Sequence, residues 1–178
     1  MLGATATLLF VVLAGCLARD ELPEPLDLSG DKFCDQCGML LEAQPGPVGQ
    51  TFFDDHQPNG RDGPAWFCSG SCTYLYTFDR EAEGHEVVVI YMTDYSVVDW
   101  QLSDEDDTLF ISSHLGADAF ARADDLTLLV GSELIGAMGP DLIGFTDPEG
   151  AEAVRADHGG SIYTHDEVTP ELVASLTG

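Results

Sequence analysis

Apolar residues in this chain fall in short runs broken by Gly, Pro and Asp, and the runs predict a series of small elements. The clearest is Val87-Val88-Val89-Ile90-Tyr91, which predicts a buried strand over Glu86–Thr93. Ahead of it, Met39–Glu42 and Gly49–Asp54 read as strands, paired as a hairpin across Gln44-Pro45-Gly46-Pro47. Asp55–Gly63 reads as a loop and Ala65–Cys68 as a short apolar strand. Ser69 or Ser71 can cap a helix over about Cys72–Ala82, and Gly84 ends it. Val97–Asp107 is acidic and irregular and joins two halves. Beyond it lie a short strand at Phe110–Ser113, a short helix at Gly116–Arg122, and strands at Leu126–Gly131 and Leu142–Phe145. Asp147-Pro148 has the form of an N-cap followed by proline at the first helical position, so a helix runs from there to about Asp157. Gly159-Gly160 stops it, Ser161–Thr164 is the next strand, and Val168–Leu176 closes as a short helix.

The order repeats. Ala65-Trp66-Phe67-Cys68-Ser69, helix, Gly84 and the strand Glu86–Thr93 echo Ile143-Gly144-Phe145-Thr146-Asp147, helix, Gly159-Gly160 and the strand Ser161–Thr164. Each half then reads strand–strand–helix–strand, so the expected fold is α+β, with two small modules in series at 33–100 and 101–178.

Charge changes the picture of the surface. Asp and Glu total 32 against 6 Lys and Arg, Lys32 is the single lysine, and the formal net charge is −26. Such self-repulsion opposes compaction at ordinary ionic strength, but at molar salt the Debye length falls to about 3 Å. The surface therefore reads as salt-adapted. With 44% hydrophobic residues the chain can still bury a core. Nucleic acid is excluded as a partner, because no basic stripe exists to neutralise phosphates.

The N-terminus reads as a processing segment. Met1–Gly15 carries no charged side chain, and its apolar run is too short to span a bilayer. It ends in Leu13-Ala14-Gly15-Cys16, a tetrad that resembles the lipobox of prokaryotic lipoproteins. That resemblance implies a signal peptide over 1–15, a lipid on the sulfur of Cys16, and a protein held at the extracytoplasmic face of the cell membrane. The acidic, Pro-containing stretch up to residue 32 then reads as a flexible tether.

The chemistry lies in sulfur. Cys34-Asp35-Gln36-Cys37-Gly38-Met39 places two thiols and a thioether within six residues, and Cys68 and Cys72 follow about thirty residues later. Soft donors suit a soft cation, and a thioether among thiolates favours Cu(I) over Zn²⁺. A Cys-x-x-Cys pair can converge on one ion or close a disulfide, and if Gly38 turns the backbone Met39 joins Cys37. Cys72 in a first helical turn would be more acidic than a free thiol. The spacing of Cys34, Cys37, Cys68 and Cys72 resembles that of the treble-clef-like TRASH and YHS metal-handling modules. Met138, in Gly136-Ala137-Met138-Gly139-Pro140, sits among turn-forming residues and is a loop candidate for a further ligand. With Cys16 lipidated four of the five cysteines remain, an even number that outside the cytoplasm also allows a disulfide-stapled or thiol–disulfide protein, and that alternative stays open. His56, His85, His114, His158 and His165 show no ligand spacing. No phosphate loop, nucleophile elbow or catalytic triad stands out, so no enzyme is expected.

Taken in order, Phe33–Met39, Pro45-Gly46-Pro47-Val48-Gly49-Gln50, Ala65-Trp66-Phe67, Ile90-Tyr91-Met92-Thr93-Asp94, Trp100, Val130-Gly131-Ser132, Gly136-Ala137-Met138-Gly139 and His158-Gly159-Gly160 resemble the NosL family, the accessory lipoproteins of nitrous-oxide reductase. The resemblance implies a two-module fold related to that of organomercurial lyase. It also implies Cu(I) binding and delivery toward nitrous-oxide reductase, with the membrane-associated maturation machinery as partner. Cys37, Met39 and Met138 carry the expectation of metal ligands, with Cys34 auxiliary. Cys34, Cys68 and Cys72 stand outside the family pattern, as a tighter or second site or a disulfide.

Overall fold

The computed structural model describes residues 22–176. Two α+β units share one plan. In the first, β1 (Gly49–Phe53) lies between β2 (Ala65–Phe67) and β3 (Val87–Thr93), and α1 (Gly70–Ala82) connects the last two. A long central strand, β7 (Thr127–Gly136), occupies the corresponding place in the second unit. It pairs along one side with β8 (Gly139–Phe145) and along the other with β9 (Ser161–Tyr163), with α2 (Pro148–His158) between those two. All these pairings are antiparallel, so the strand–strand–helix–strand order appears twice with the same neighbours. A hairpin of β4 (Leu102–Glu105) and β5 (Thr108–Ile111) extends the second sheet, β5 running parallel to β7. α3 (Pro170–Leu176) packs on α1. Among the described residues no helix is long and apolar enough to cross a membrane.

The helix signals act locally. The Ser69 hydroxyl accepts the Cys72 N–H at 2.8 Å and starts α1, and Asp147 accepts the Glu149 N–H at 3.1 Å and starts α2. Gly84 takes φ +96° just past α1. The sheets meet where β3 ends: Asp94 forms a parallel bridge with Gly144, and the Tyr95 N–H donates to the Gly144 carbonyl at 2.8 Å. A shared core of Tyr74, Met92, Leu126, Leu128, Leu142 and Val173 spans this junction. A second core lies beneath the first sheet and contains Leu28, Leu41, Val48, Phe67 and three cysteines. A third packs Leu129, Ile143 and Phe145 against Ala151 of α2.

Several elements depart from the sequence reading. Met39–Glu42 is not a strand. A single bridge joins Phe33 to Leu40, and a 3₁₀ turn follows over Leu41–Ala43. The backbone there is spent on a tight turn, so β1 finds its partners in β2 and β3 instead. The irregular segment 97–107 contains β4, whose four residues are all exposed and so lack an apolar face to betray a strand. Asp106 and Asp107 both take positive φ (53° and 63°) and make the two-residue hairpin turn. The helix expected over Gly116–Arg122 is a 3₁₀ turn, Ala117–Ala119, followed by strand β6 (Phe120–Arg122). β6 pairs with the free edge of β3 at Tyr91–Thr93, so chain beyond residue 100 completes the first sheet. β7 and β8 are longer than expected because their Gly-flanked hairpin carries the pairing out to Gly136 and Gly139.

The signal peptide (1–15) and Cys16 lie outside the described residues. Residues 22–32, expected as tether, form no helix or strand but lie against the first unit. The Leu26 backbone exchanges two hydrogen bonds with the buried Gln50 amide, at 2.9 and 3.1 Å. The Leu28 N–H donates to the Leu115 carbonyl at 2.7 Å, and its side chain is fully buried. The Tyr91 hydroxyl donates to the Pro23 carbonyl at 2.9 Å.

Candidate metal centre

Cys34 and Cys37 sit on a backbone knuckle. The Cys34 N–H donates to the Met39 carbonyl and the Gly38 N–H to the Cys34 carbonyl, both at 2.8 Å. Gly38 closes the turn at φ +79°, a conformation costly for any residue with a Cβ. The two sulfurs are thereby held on one side of a tight loop.

Asp35, between the cysteines, fastens that loop to β2. Its N–H donates to the Trp66 carbonyl at 3.0 Å, and its carboxylate accepts the Trp66 N–H at 2.9 Å. The same carboxylate accepts the Asn59 amide at 2.6 Å and both ends of the Arg61 guanidinium, one contact at 3.0 Å. The guanidinium stacks 3.5 Å from the centroid of the Trp66 ring, whose indole N–H donates to the Phe33 carbonyl at 2.9 Å. β2 ends at Phe67, so fixing the loop to Trp66 sets the knuckle beside Cys68.

Cys68 lies in the strand-to-helix turn, and Cys72 in the first turn of α1, its N–H held by Ser69. One ligand atom from each of Cys34, Cys37, Cys68 and Cys72 lies within 4.8 Å of all the others. Cys37 and Cys68 approach to Sγ–Sγ 3.3 Å, and all four are free thiols. Cys34, Cys68 and Cys72 are buried, while Cys37 is exposed.

The thiols of Cys34, Cys68 and Cys72 are linked by hydrogen bonds. Hydrogen bonds from the Cys68 thiol, and next the Cys72 thiol, pull Cys34 well below the ordinary thiol range. Cys68 is pushed up, first because its proton is held by Cys34, and Cys72 for the same leading reason. Further negative charge beside Cys34 in so small a space is unfavourable, which raises Cys68 and Cys72. A cation at the centre would relieve that repulsion.

Met39 and Met138 both pack, half-buried, against the same core as Cys34, Cys68 and Cys72. Met138 arrives there from the second unit, on the two-residue turn Ala137-Met138 between Gly136 and Gly139. Gly46 accounts for the closeness of that turn. At φ +93°, a Cβ on Gly46 would lie 2.4 Å from the Gly136 Cα. The Pro45-Gly46-Pro47 and Gly136-Ala137-Met138-Gly139 motifs thus meet in space. Of the six ligand candidates singled out in the sequence, the four cysteines form one group, and Met39 and Met138 pack against the core that holds three of them. Among the described residues no histidine joins the four-thiol group, and His158 ends α2.

Sequence reasoning passed over Asp35, Arg61 and Asp141. Asp141, on β8, is fully buried and accepts the Ser71 N–H at 2.8 Å, the Ser71 hydroxyl at 3.1 Å and the Gly70 N–H at 3.3 Å. An acid entering the apolar run Leu142-Ile143 was a signal, but among 32 acidic residues it did not stand out.

A thiol-rich, partly exposed cluster suits a soft metal ion such as copper better than a hard cation. The NosL family model matches residues 25–173. The chain is similar to the copper-binding lipoprotein NosL of Stutzerimonas stutzeri, at 27% identity over 171 residues, covering 94% of this chain and 80% of that protein. Its fold is similar to the crystal structure of the copper chaperone NosL from Shewanella denitrificans, with a TM-score of 0.64 and 28% identity, covering 81% of this chain and 94% of that one.

Proposed function

The chain belongs to the NosL family, and we propose that it is a Cu(I) metallochaperone that hands copper on for the maturation of nitrous-oxide reductase. The observation that carries this reading is the four-thiol cluster with one exposed member. Buried Cys34, Cys68 and Cys72 retain the ion, and exposed Cys37 offers a sulfur that an incoming ligand can displace first. Met39 and Met138 border the site as neutral donors, which lower the charge on the loaded centre and ease release. Four thiolates alone would hold the ion too firmly for delivery.

Delivery, rather than catalysis, fits the absence of any acid–base constellation in the sequence reading. A lipid on Cys16 would tether the protein to the extracytoplasmic face of the membrane, near the maturation machinery that receives the metal. The similarity to a copper-binding lipoprotein and to a copper chaperone supports this reading.

Anaerobic Cu(I) titration against a competing chelator tests it. Cys37→Ser, Cys68→Ser and Met138→Leu should each weaken binding by about tenfold or more, which corresponds to about 1.4 kcal/mol. Unchanged affinity in all three would sink the copper reading. The Cys37–Cys68 approach of 3.3 Å favours one competitor, a disulfide-stapled protein. Thiol counting on metal-free protein separates the two: four free thiols support the metal site, and none, with no copper taken up after reduction, supports the staple.

A further inference from the structure

The thioether and the thiols come from different units of the fold, and one buried side chain lies between their supports. Asp141 sits on β8, three residues after Met138. Its carboxylate faces two elements at once. Toward α1 it accepts the N–H groups of Gly70 and Ser71 and the Ser71 hydroxyl. Toward the β7–β8 turn it lies against Gly136, where an added Cβ would stand 2.8 Å from Oδ2. Gly136 opens the turn that presents Met138, and Gly70 and Ser71 begin the helical turn that presents Cys72.

The contact is close and cannot be filled from the helix side. A Cβ on Gly70 would meet the Leu142 carbonyl at 2.8 Å and Asp141 Oδ1 at 3.1 Å. The first-turn donors of α1 are divided between two acceptors: Ser69 takes the Cys72 N–H, and Asp141 takes those of Gly70 and Ser71. A local serine or water could satisfy these donors, and burying a carboxylate for the purpose is costly. What the distant carboxylate adds is a fixed distance between the helix start and the hairpin.

We propose that Asp141 is a positioning residue for the metal centre, setting the Met138 thioether against the Cys34–Cys37–Cys68–Cys72 cluster by tying the β7–β8 turn to the first turn of α1. It touches no metal; it acts through Met138. This inference rests on the copper reading above.

A double-mutant cycle tests it, with Cu(I) affinity as the readout and circular dichroism as the check on folding. In the wild-type background Asp141→Asn should weaken Cu(I) binding by about tenfold, because the amide presents a donor to donors and the turn shifts. In the Met138→Leu background the same substitution should change affinity by less than about twofold. X-ray absorption on the Cu(I)-loaded Asp141→Asn protein should show fewer sulfur neighbours than wild type. Equal losses in both backgrounds, or no loss in either, would overturn the proposal while leaving the thiol site intact. If Met138→Leu by itself leaves affinity untouched, the thioether assignment falls together with it, whereas Cys68→Ser still reports on the copper site. Should Asp141→Asn fail to fold, Ser71→Ala removes one of the same hydrogen bonds from the helix side and should show the same dependence on Met138.

Discussion

Asp35 and Trp66 are joined by a reciprocal pair of hydrogen bonds, the Asp35 N–H to the Trp66 carbonyl at 3.0 Å and the Trp66 N–H to the Asp35 carboxylate at 2.9 Å. The pair fastens a six-residue turn rich in polar groups to β2 of the first sheet. Cys34 and Cys37 thereby meet Cys68 without any regular element of their own.

Replacing Asp35 by Ala should therefore damage both stability and site. The Asp35 side chain is 1% exposed, while Arg61 is 26% exposed and can recover some hydration. Loss of the carboxylate strands the Trp66 N–H and the guanidinium, at a cost of about 2–4 kcal/mol. Chemical denaturation should show that loss, and chelator competition should show Cu(I) affinity falling with it although no sulfur is removed. Stability unchanged within about 0.5 kcal/mol would show that the clamp is dispensable.

Gly46 and Gly84 offer a comparison of two positive-φ glycines, at +93° and +96°. Around Gly84 nothing lies within 4 Å of an added Cβ, so Gly84→Ala should cost only the backbone strain, about 1–2 kcal/mol. Gly46→Ala adds a collision with the Gly136 backbone and should cost about 1–3 kcal/mol more, as overpacked sites do. Urea unfolding of the two variants measures the difference. Equal costs would mean that the Met138 turn is not held against the first unit through Gly46.

The pH dependence of stability should carry the mark of Asp141. Burial pushes its carboxyl up to about 6 from 3.8, outweighing the hydrogen bonds from Leu142, Ser71 and Gly70 that pull it down. A carboxyl with a raised folded pKa binds its proton more tightly in the folded state. Its contribution is therefore most favourable below pH 3.8 and is lost as pH rises through 6, by about 3 kcal/mol over the window. The stability of wild type relative to Asp141→Asn should fall by about 2 kcal/mol between pH 4 and pH 6.5, measured at molar salt to screen the net charge. A flat difference across the window would contradict a buried, titrating carboxyl.

The helix starts were legible because their chemistry is local. Ser69, Asp147 and Pro148 act on residues within one turn, and Val87–Tyr91 is β-prone whatever surrounds it. β4 and β6 were not legible. β4 is exposed on every residue and carries no alternation, and β6 is a strand only because the edge of β3 is open to it. The same division runs through the site. Cys34, Cys37 and Met39 announce themselves by spacing, whereas Asp35, Arg61 and Asp141 are chemically ordinary until they are seen buried and paired.

By itself the sequence determined the α+β order, the donor types and their softness, since these depend on residue identity and on interactions within a few positions. Only the tertiary structure decided that four thiols from three segments lie within 4.8 Å, that Cys37 faces solvent while its partners do not, and that Met138 of the second unit packs against the core holding Cys34, Cys68 and Cys72. Those facts come from contacts between residues 30 to 100 positions apart. They depend on sheet pairing, on two glycines that let backbones approach, and on a buried carboxylate joining the units. None of these leaves a periodic trace in the chain.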